Sequence, residues 1–149
     1  MIEVKIYTDG SCLGNPGKGG YCAILKAIKN GQQIKQKIIS GNESHTTNNR
    51  MELRAVIEAL KAIKTQPDKI TIYTDSQYVA NGINQWLANW AKKDFQNVKN
   101  DDLWKELYEL LKKYNVEAIW IKAHQKDNTE DTYINNLCDE IAKKEASSA

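Results

Sequence analysis

Two segments far apart in the chain carry nearly the same words. "EVKIYTD" ends on Asp9 and "KITIYTD" ends on Asp75. In each, apolar and polar residues alternate, which is the period of a strand with one buried face. Laid side by side in parallel, the two strands bring both carboxylates to the carboxyl edge of one sheet, where open sheets place their sites. Parallel neighbours need a crossover between them, and right-handed crossovers set the topology. The sequence supplies a helix for it: in "NNRMELRAVIEALKAIK", Leu53, Val56, Leu60 and Ile63 form one apolar stripe.

The rest of the chain extends this arrangement. "GYCAILKAIKN" and "QQIKQKIISG" are predicted strands joined at Asn30-Gly31, a strong hairpin signal. "SQYVANGINQWLANWAKK" is helical with a weak point at Gly82, and "NDDLWKELYELLKKY" is an amphipathic helix. "VEAIWIKAH" is a mostly apolar strand, "DTYINNLCDEIAKKEA" a last helix, and residues 146–149 a disordered tail. The expectation is a single α/β domain over residues 1–149. It has a five-stranded mixed sheet, three antiparallel strands then two parallel, with helices on both faces. At 149 residues and 41% hydrophobic, the chain can bury a core of that size. Cys12, Cys22 and Cys138 have no C-x-x-C spacing, so they fit reduced cytoplasmic thiols better than a disulfide frame or a zinc site. No apolar run approaches membrane length. A net charge of +2 neither demands nor excludes nucleic acid.

Acids then gather at one edge. Asp9 precedes a loop and a strand, so helix capping does not account for it. Asp75 precedes a helix, and N-capping is a rival role. Glu52 shares a helical face with Val56, Ala59 and Ile63, which puts an acid on the core side. It could instead be a capping-box-like partner of Asn49. Asp139 borders the stripe Ile134, Leu137, Cys138, Ile141, and His124 follows the strand "AIWI" to the same edge. Several carboxylates together repel and raise one another's pKa values unless a cation is present. Oxygen ligands without a cysteine or histidine cluster suit Mg²⁺ or Mn²⁺ rather than zinc. Carboxylates able to share two ions match a phosphodiester-cleaving site. The loop "GNPGKGG" has no Ser or Thr after Gly-Lys and leads into a strand, which argues against a P-loop. Its small residues either let a nucleic-acid backbone approach or simply make a turn.

"YTDGSCLGNPGKGGYCAIL", "TTNNRMELRAVIEAL", "TDSQYV", "VKNDDLW" and "NLCDEIA" closely resemble bacterial type 1 ribonuclease H, in colinear order over nearly the whole chain. The resemblance implies the ribonuclease H-like fold and an endonuclease that cuts the RNA strand of RNA–DNA hybrids. The ends left are 5′-phosphate and 3′-hydroxyl. It implies Asp9, Glu52, Asp75 and Asp139 as ligands of two Mg²⁺ ions (Mn²⁺ as a substitute) when substrate is bound. It makes His124 the loop histidine that assists proton transfer or product release. Asn15, Asn48, Asn49 and Gln77 match residues that read the minor groove and 2′-hydroxyls, which an A-like hybrid displays. Thr47 and Asn100 match a pocket for a phosphate of the DNA strand, and His45 stands where the family often has Arg. Residues 86–100 match the basic protrusion of bacterial members, with Trp86 and Trp90 able to stack on a sugar or pack the helix. Its charge is thin, with Lys92, Lys93 and Lys99 against Asp94.

The chain departs from the family pattern at Ala123, where glycine is usual, at Asn136, where an acid is common, and in the loop 125–133, which is longer than the norm. Loop acids Asp127, Glu130 and Asp131 are candidates to stand in for the missing carboxylate. The expected partner is an RNA–DNA hybrid, with no membrane, for a monomer acting in the cytoplasm. Met1 directly before the first strand favours a free-standing enzyme over a reverse-transcriptase domain. The alternative is a non-catalytic nucleic-acid-binding domain of the same fold, which the four acids argue against.

Overall fold

Asn30 and Gly31 both take positive φ, 52° and 82°, as a tight hairpin between twisted strands requires. They join β2 (Gly17–Lys29) to β3 (Gln32–Thr46), and both follow β1 (Ile2–Cys12). The computed structural model describes residues 1–122 and 129–149. With β4 (Lys69–Thr74) and β5 (Val116–Trp120), the sheet has five strands in the order β3-β2-β1-β4-β5. β1, β2 and β3 pair antiparallel, while β1–β4 and β4–β5 pair parallel, as expected from the sequence.

One difference in β1 matters for the site. The strand does not stop at Asp9. Gly10, Ser11 and Cys12 continue it against Tyr21, Gly20 and Gly19 of β2. On its other side, pairing with β4 ends at Tyr7 opposite Tyr73. Asp9 therefore sits within one ladder and just past the end of the other, at the mouth of the cleft between β1 and β4.

Among the described residues, five helices cover the sheet: α1 (Asn48–Ala62), α2 (Gln77–Asn81), α3 (Leu87–Lys92), α4 (Asp101–Leu111) and α5 (Glu130–Ser148). The weak point at Gly82 is a π-helical turn, Gly82–Trp86, between α2 and α3. Residues 146–148, expected in a disordered tail, continue α5 instead. Strand alternation splits the core into two layers. Val4, Ile6, Ala23 and Leu25 face α1 and α4, through Leu53, Val56, Leu60, Trp104 and Leu107. Tyr7, Cys22 and Ile24 face α5, through Ile134, Cys138 and Ala142.

Gly20, near the start of β2, serves this packing. A Cβ on Gly20 would lie 2.4 Å from the Ala142 carbonyl oxygen, so α5 lies directly on the bare backbone. Neither sequence reading of the segment, room for a nucleic-acid backbone or a simple turn, included this packing role for Gly20.

Candidate active site

Helix α1 meets β1 at Gly10. A Cβ there would stand 2.5 Å from the Glu52 backbone nitrogen and 2.8 Å from Met51 Cβ. Only a residue without a side chain lets the first turns of α1 lie this close, and the approach carries Glu52 to Asp9. The N-cap of α1 is Thr47, whose Oγ1 accepts from Arg50 N–H at 3.3 Å. The capping-box role is thus not what Glu52 does: its side chain is buried, and Oε2 has no partner among the described residues. The rival role of Asp75 falls in the same way, because Ser76 caps α2 by accepting from Val79 N–H at 3.2 Å.

Asp9, Glu52 and Asp75 each offer a carboxylate oxygen within 4.8 Å of the others. Asp139 of α5 lines the same cleft, with Ser11, Cys12, Asn48, Asn49 and Ser76. Asp9 is 3% and Glu52 8% exposed. Asp9 Oδ1 accepts from Gly10 N–H at 2.9 Å, while Asp9 Oδ2 and Glu52 Oε2 are buried with no hydrogen-bond partner among the described residues. Burial first, then the charge of Asp75, pushes the Asp9 pKa up to about 8. Burial, then the charge of Asp9, holds Glu52 well above the usual carboxylate range. Asp139 Oδ2 lies 3.1 Å from Lys143 Nζ one helical turn away.

Unpaired buried carboxylate oxygens are costly, and like charges this close oppose ionisation. A hard divalent cation removes both penalties, and an all-oxygen donor set suits it. The residues present therefore fit a divalent metal.

Of the remaining expected residues, Asn48 and Asn49 line the cleft. Asn48 N–H donates to Asn15 Oδ1 at 3.2 Å, which joins the β1–β2 loop to the start of α1. Asn48, Asn49 and Gln77 are exposed, with Gln77 the first residue of α2. Thr47 and Asn100 come together through Arg50, whose backbone N–H reaches Thr47 and whose Nη1 donates to Asn100 Oδ1 at 3.3 Å. His45 is exposed near the end of β3. Trp86 is 36% exposed, whereas Trp90 packs edge-on against the buried Trp104 with centroids 5.0 Å apart. His124 and Asp127 lie outside the described residues.

Glu130 and Asp131 are not free to replace the missing carboxylate. They belong to the first turn of α5 rather than to a loop. Glu130 pairs with the buried Lys26, and Asp131 accepts from the Tyr7 hydroxyl. Sequence reasoning missed these two anchors, the seat at Gly10 and the cation of Lys143. The Asp139–Lys143 spacing of one turn was the one local signal among them.

The RNase H family model matches residues 2–147. The chain is 55% identical over 98% of its length to ribonuclease HI of Helicobacter pylori, covering 94% of that protein. It is 51% identical to ribonuclease H of Caldicellulosiruptor saccharolyticus, over 96% of this chain and 95% of the relative. The solved structure of LC9-RNase H1, a type 1 RNase H with the type 2 active-site motif, superposes with a TM-score of 0.84 at 29% identity. That match covers 98% of this chain and 72% of the solved one. A shared sheet order, a matching sequence from end to end and a cleft of converging acids agree: the chain belongs to the ribonuclease H family, divalent-metal-dependent enzymes that hydrolyse the RNA strand of RNA–DNA hybrids.

Proposed function

We propose that this chain cuts RNA within RNA–DNA hybrids at the Asp9, Glu52, Asp75 and Asp139 cleft with Mg²⁺, leaving 5′-phosphate and 3′-hydroxyl ends. The observation that carries the reading is the pair of buried oxygens on Asp9 and Glu52 without a partner among the described residues, within reach of Asp75. These four acids would hold two ions, and Mn²⁺ would serve in place of Mg²⁺. The chemistry supplied by the bound ions is activation of the attacking water and stabilisation of the departing 3′ oxygen.

The chain's own residues bind and orient. Asn15, Asn48, Asn49 and Gln77 read the minor groove and its 2′-hydroxyls, and the position of Asn48 and Asn49 on the rim of the acid cleft supports this. Thr47, Asn100 and His45 grip a DNA-strand phosphate. Thr47 opens a helix of 15 residues, whose first N–H groups favour an anion. Residues 86–100 form the substrate-binding protrusion, with Trp86 as its exposed aromatic surface. His124 moves a proton to the leaving group or aids product release. The enzyme acts as a single domain over residues 1–149, as a monomer in the cytoplasm and without a membrane. No helix among the described residues is long and apolar enough to cross one.

Cleavage assays on labelled hybrid, double-stranded RNA, double-stranded DNA and single strands, each with Mg²⁺, Mn²⁺ or chelator, test this. Cutting confined to RNA in the hybrid, and lost in chelator, is expected. Hybrid binding without cutting in any metal would make the chain a binding domain instead.

A further inference from the structure

Asn100 precedes α4 at the position where an asparagine ordinarily caps a helix with its side chain. Here it does not. Its backbone is left-handed (φ 60°, ψ 33°), and the side chain makes no capping hydrogen bond. The amide is held from elsewhere. Its Oδ1 accepts from Arg50 Nη1 at 3.3 Å, and its Nδ2 donates to the Tyr78 hydroxyl at 3.2 Å. Both holders are themselves held. Arg50 forks onto Asp102, with Nη1–Oδ1 at 2.9 Å and Nη2–Oδ2 at 2.7 Å. Tyr78 accepts a second hydrogen bond, from Nε1 of the fully buried Trp104 at 2.8 Å, and meets that ring edge-on.

Every bond in this chain has its direction imposed by chemistry. A guanidinium and an indole N–H can only donate. Arg50 therefore forces the carbonyl side of the Asn100 amide inward, and the other side must be NH₂. One of its two protons goes to Tyr78, and the second remains to be given. We propose that Arg50 and Tyr78 are positioning residues that orient Asn100 so that its amide meets the DNA-strand phosphate as a donor. An asparagine turned the other way would offer a carbonyl oxygen and repel the anion. The inference rests on the reading of Asn100 as a phosphate contact.

A cycle built on KM separates the two. Tyr78→Phe keeps the ring against Trp104 and removes the hydroxyl that accepts from both Asn100 Nδ2 and Trp104 Nε1; the Trp104 loss is the same in either Asn100 background and cancels in the comparison. This substitution should raise KM for hybrid about 3- to 10-fold, the worth of one hydrogen bond, with kcat moved less than about twofold. Asn100→Ala should raise KM at least as much. In the Asn100→Ala background, adding Tyr78→Phe should change KM by less than about twofold, because the group it positions is gone. Arg50→Lys, which keeps the charge but loses the fork, should follow the same non-additive pattern. If Tyr78→Phe and Arg50→Lys raise KM equally in both backgrounds, or leave it unchanged where Asn100→Ala raises it, the positioning role is overturned. If Asn100→Ala leaves KM unchanged, the phosphate contact itself is wrong and the proposal goes with it.

Discussion

Replacing Asp9 by asparagine should stabilise the metal-free protein while destroying the enzyme. In that state the Asp9 side chain is nearly buried, and its Oδ2 has no partner among the described residues. Its pKa rises from an ordinary 3.8 to about 8, through burial and then the charge of Asp75. The folded chain thus holds a proton that the unfolded chain releases. The cost is absent below about pH 4, grows with pH, and is complete above the folded value. At about 1.4 kcal/mol per unit, a lone group so shifted would cost at most about 4 kcal/mol at pH 7. Glu52 and Asp75 share the repulsion, so removing one charge recovers roughly half, about 2 kcal/mol.

The asparagine carbonyl can still accept from Gly10 N–H, as Asp9 Oδ1 does at 2.9 Å. In chelator at pH 7, Asp9→Asn should therefore melt about 4–8 °C higher than wild type. The gain should vanish toward about pH 4. Saturating Mg²⁺ should stabilise wild type far more than the mutant, since ion binding to the folded state adds to stability. Cleavage should fall by much more than about tenfold, because one of the four acids proposed to hold the ions is lost. Thermal melts from pH 4 to 8, with chelator and with Mg²⁺, measure the first effects. A chelated mutant that melts at or below wild type at pH 7, or a gain equal at both ends of the range, refutes the repulsion account. Retained cleavage in Mg²⁺ refutes Asp9 as a ligand.

Other substitutions probe how the site is held. Gly10→Ala drives a Cβ to within 2.5 Å of the Glu52 backbone. It should cost about 1–3 kcal/mol and raise the Mg²⁺ needed for half-maximal rate, and a wild-type Mg²⁺ titration would remove Gly10 from the site. Neutralising Glu130 and Asp131 together breaks their bonds to Lys26 and Tyr7. Melting temperature should drop while the Mg²⁺ requirement stays put, and a shifted requirement would restore them as substitute ligands. Trp90→Ala removes a ring packed on Trp104 and should cost about 3–5 kcal/mol in denaturant melts. Trp86→Ala should instead weaken hybrid binding with little loss of stability, and the reverse pattern would exchange their roles.

Local information carried the elements. Period-2 alternation in "EVKIYTD" and "KITIYTD", the stripe of α1 and the Asn30-Gly31 turn each need only neighbours in sequence, and each appears in the folded chain. The acids themselves were visible for the same reason: an acid at a strand end or on a core-facing stripe is anomalous within a few residues. Which of the competing roles each acid plays was not local. Glu52 could cap a helix or join a metal site, and the decision lay in Gly10, 42 positions earlier, whose missing side chain lets α1 settle on β1. The run of glycines read as room for a nucleic-acid backbone or as a turn, and neither reading could include α5, which folds back from the far end of the chain onto Gly20. Glu130 and Asp131 read as free loop acids because their partners, Lys26 and Tyr7, stand more than 100 residues away. Contacts at such separations leave no periodic trace in the chain, since packing is chosen by shape and charge only after the strands and helices have been brought together.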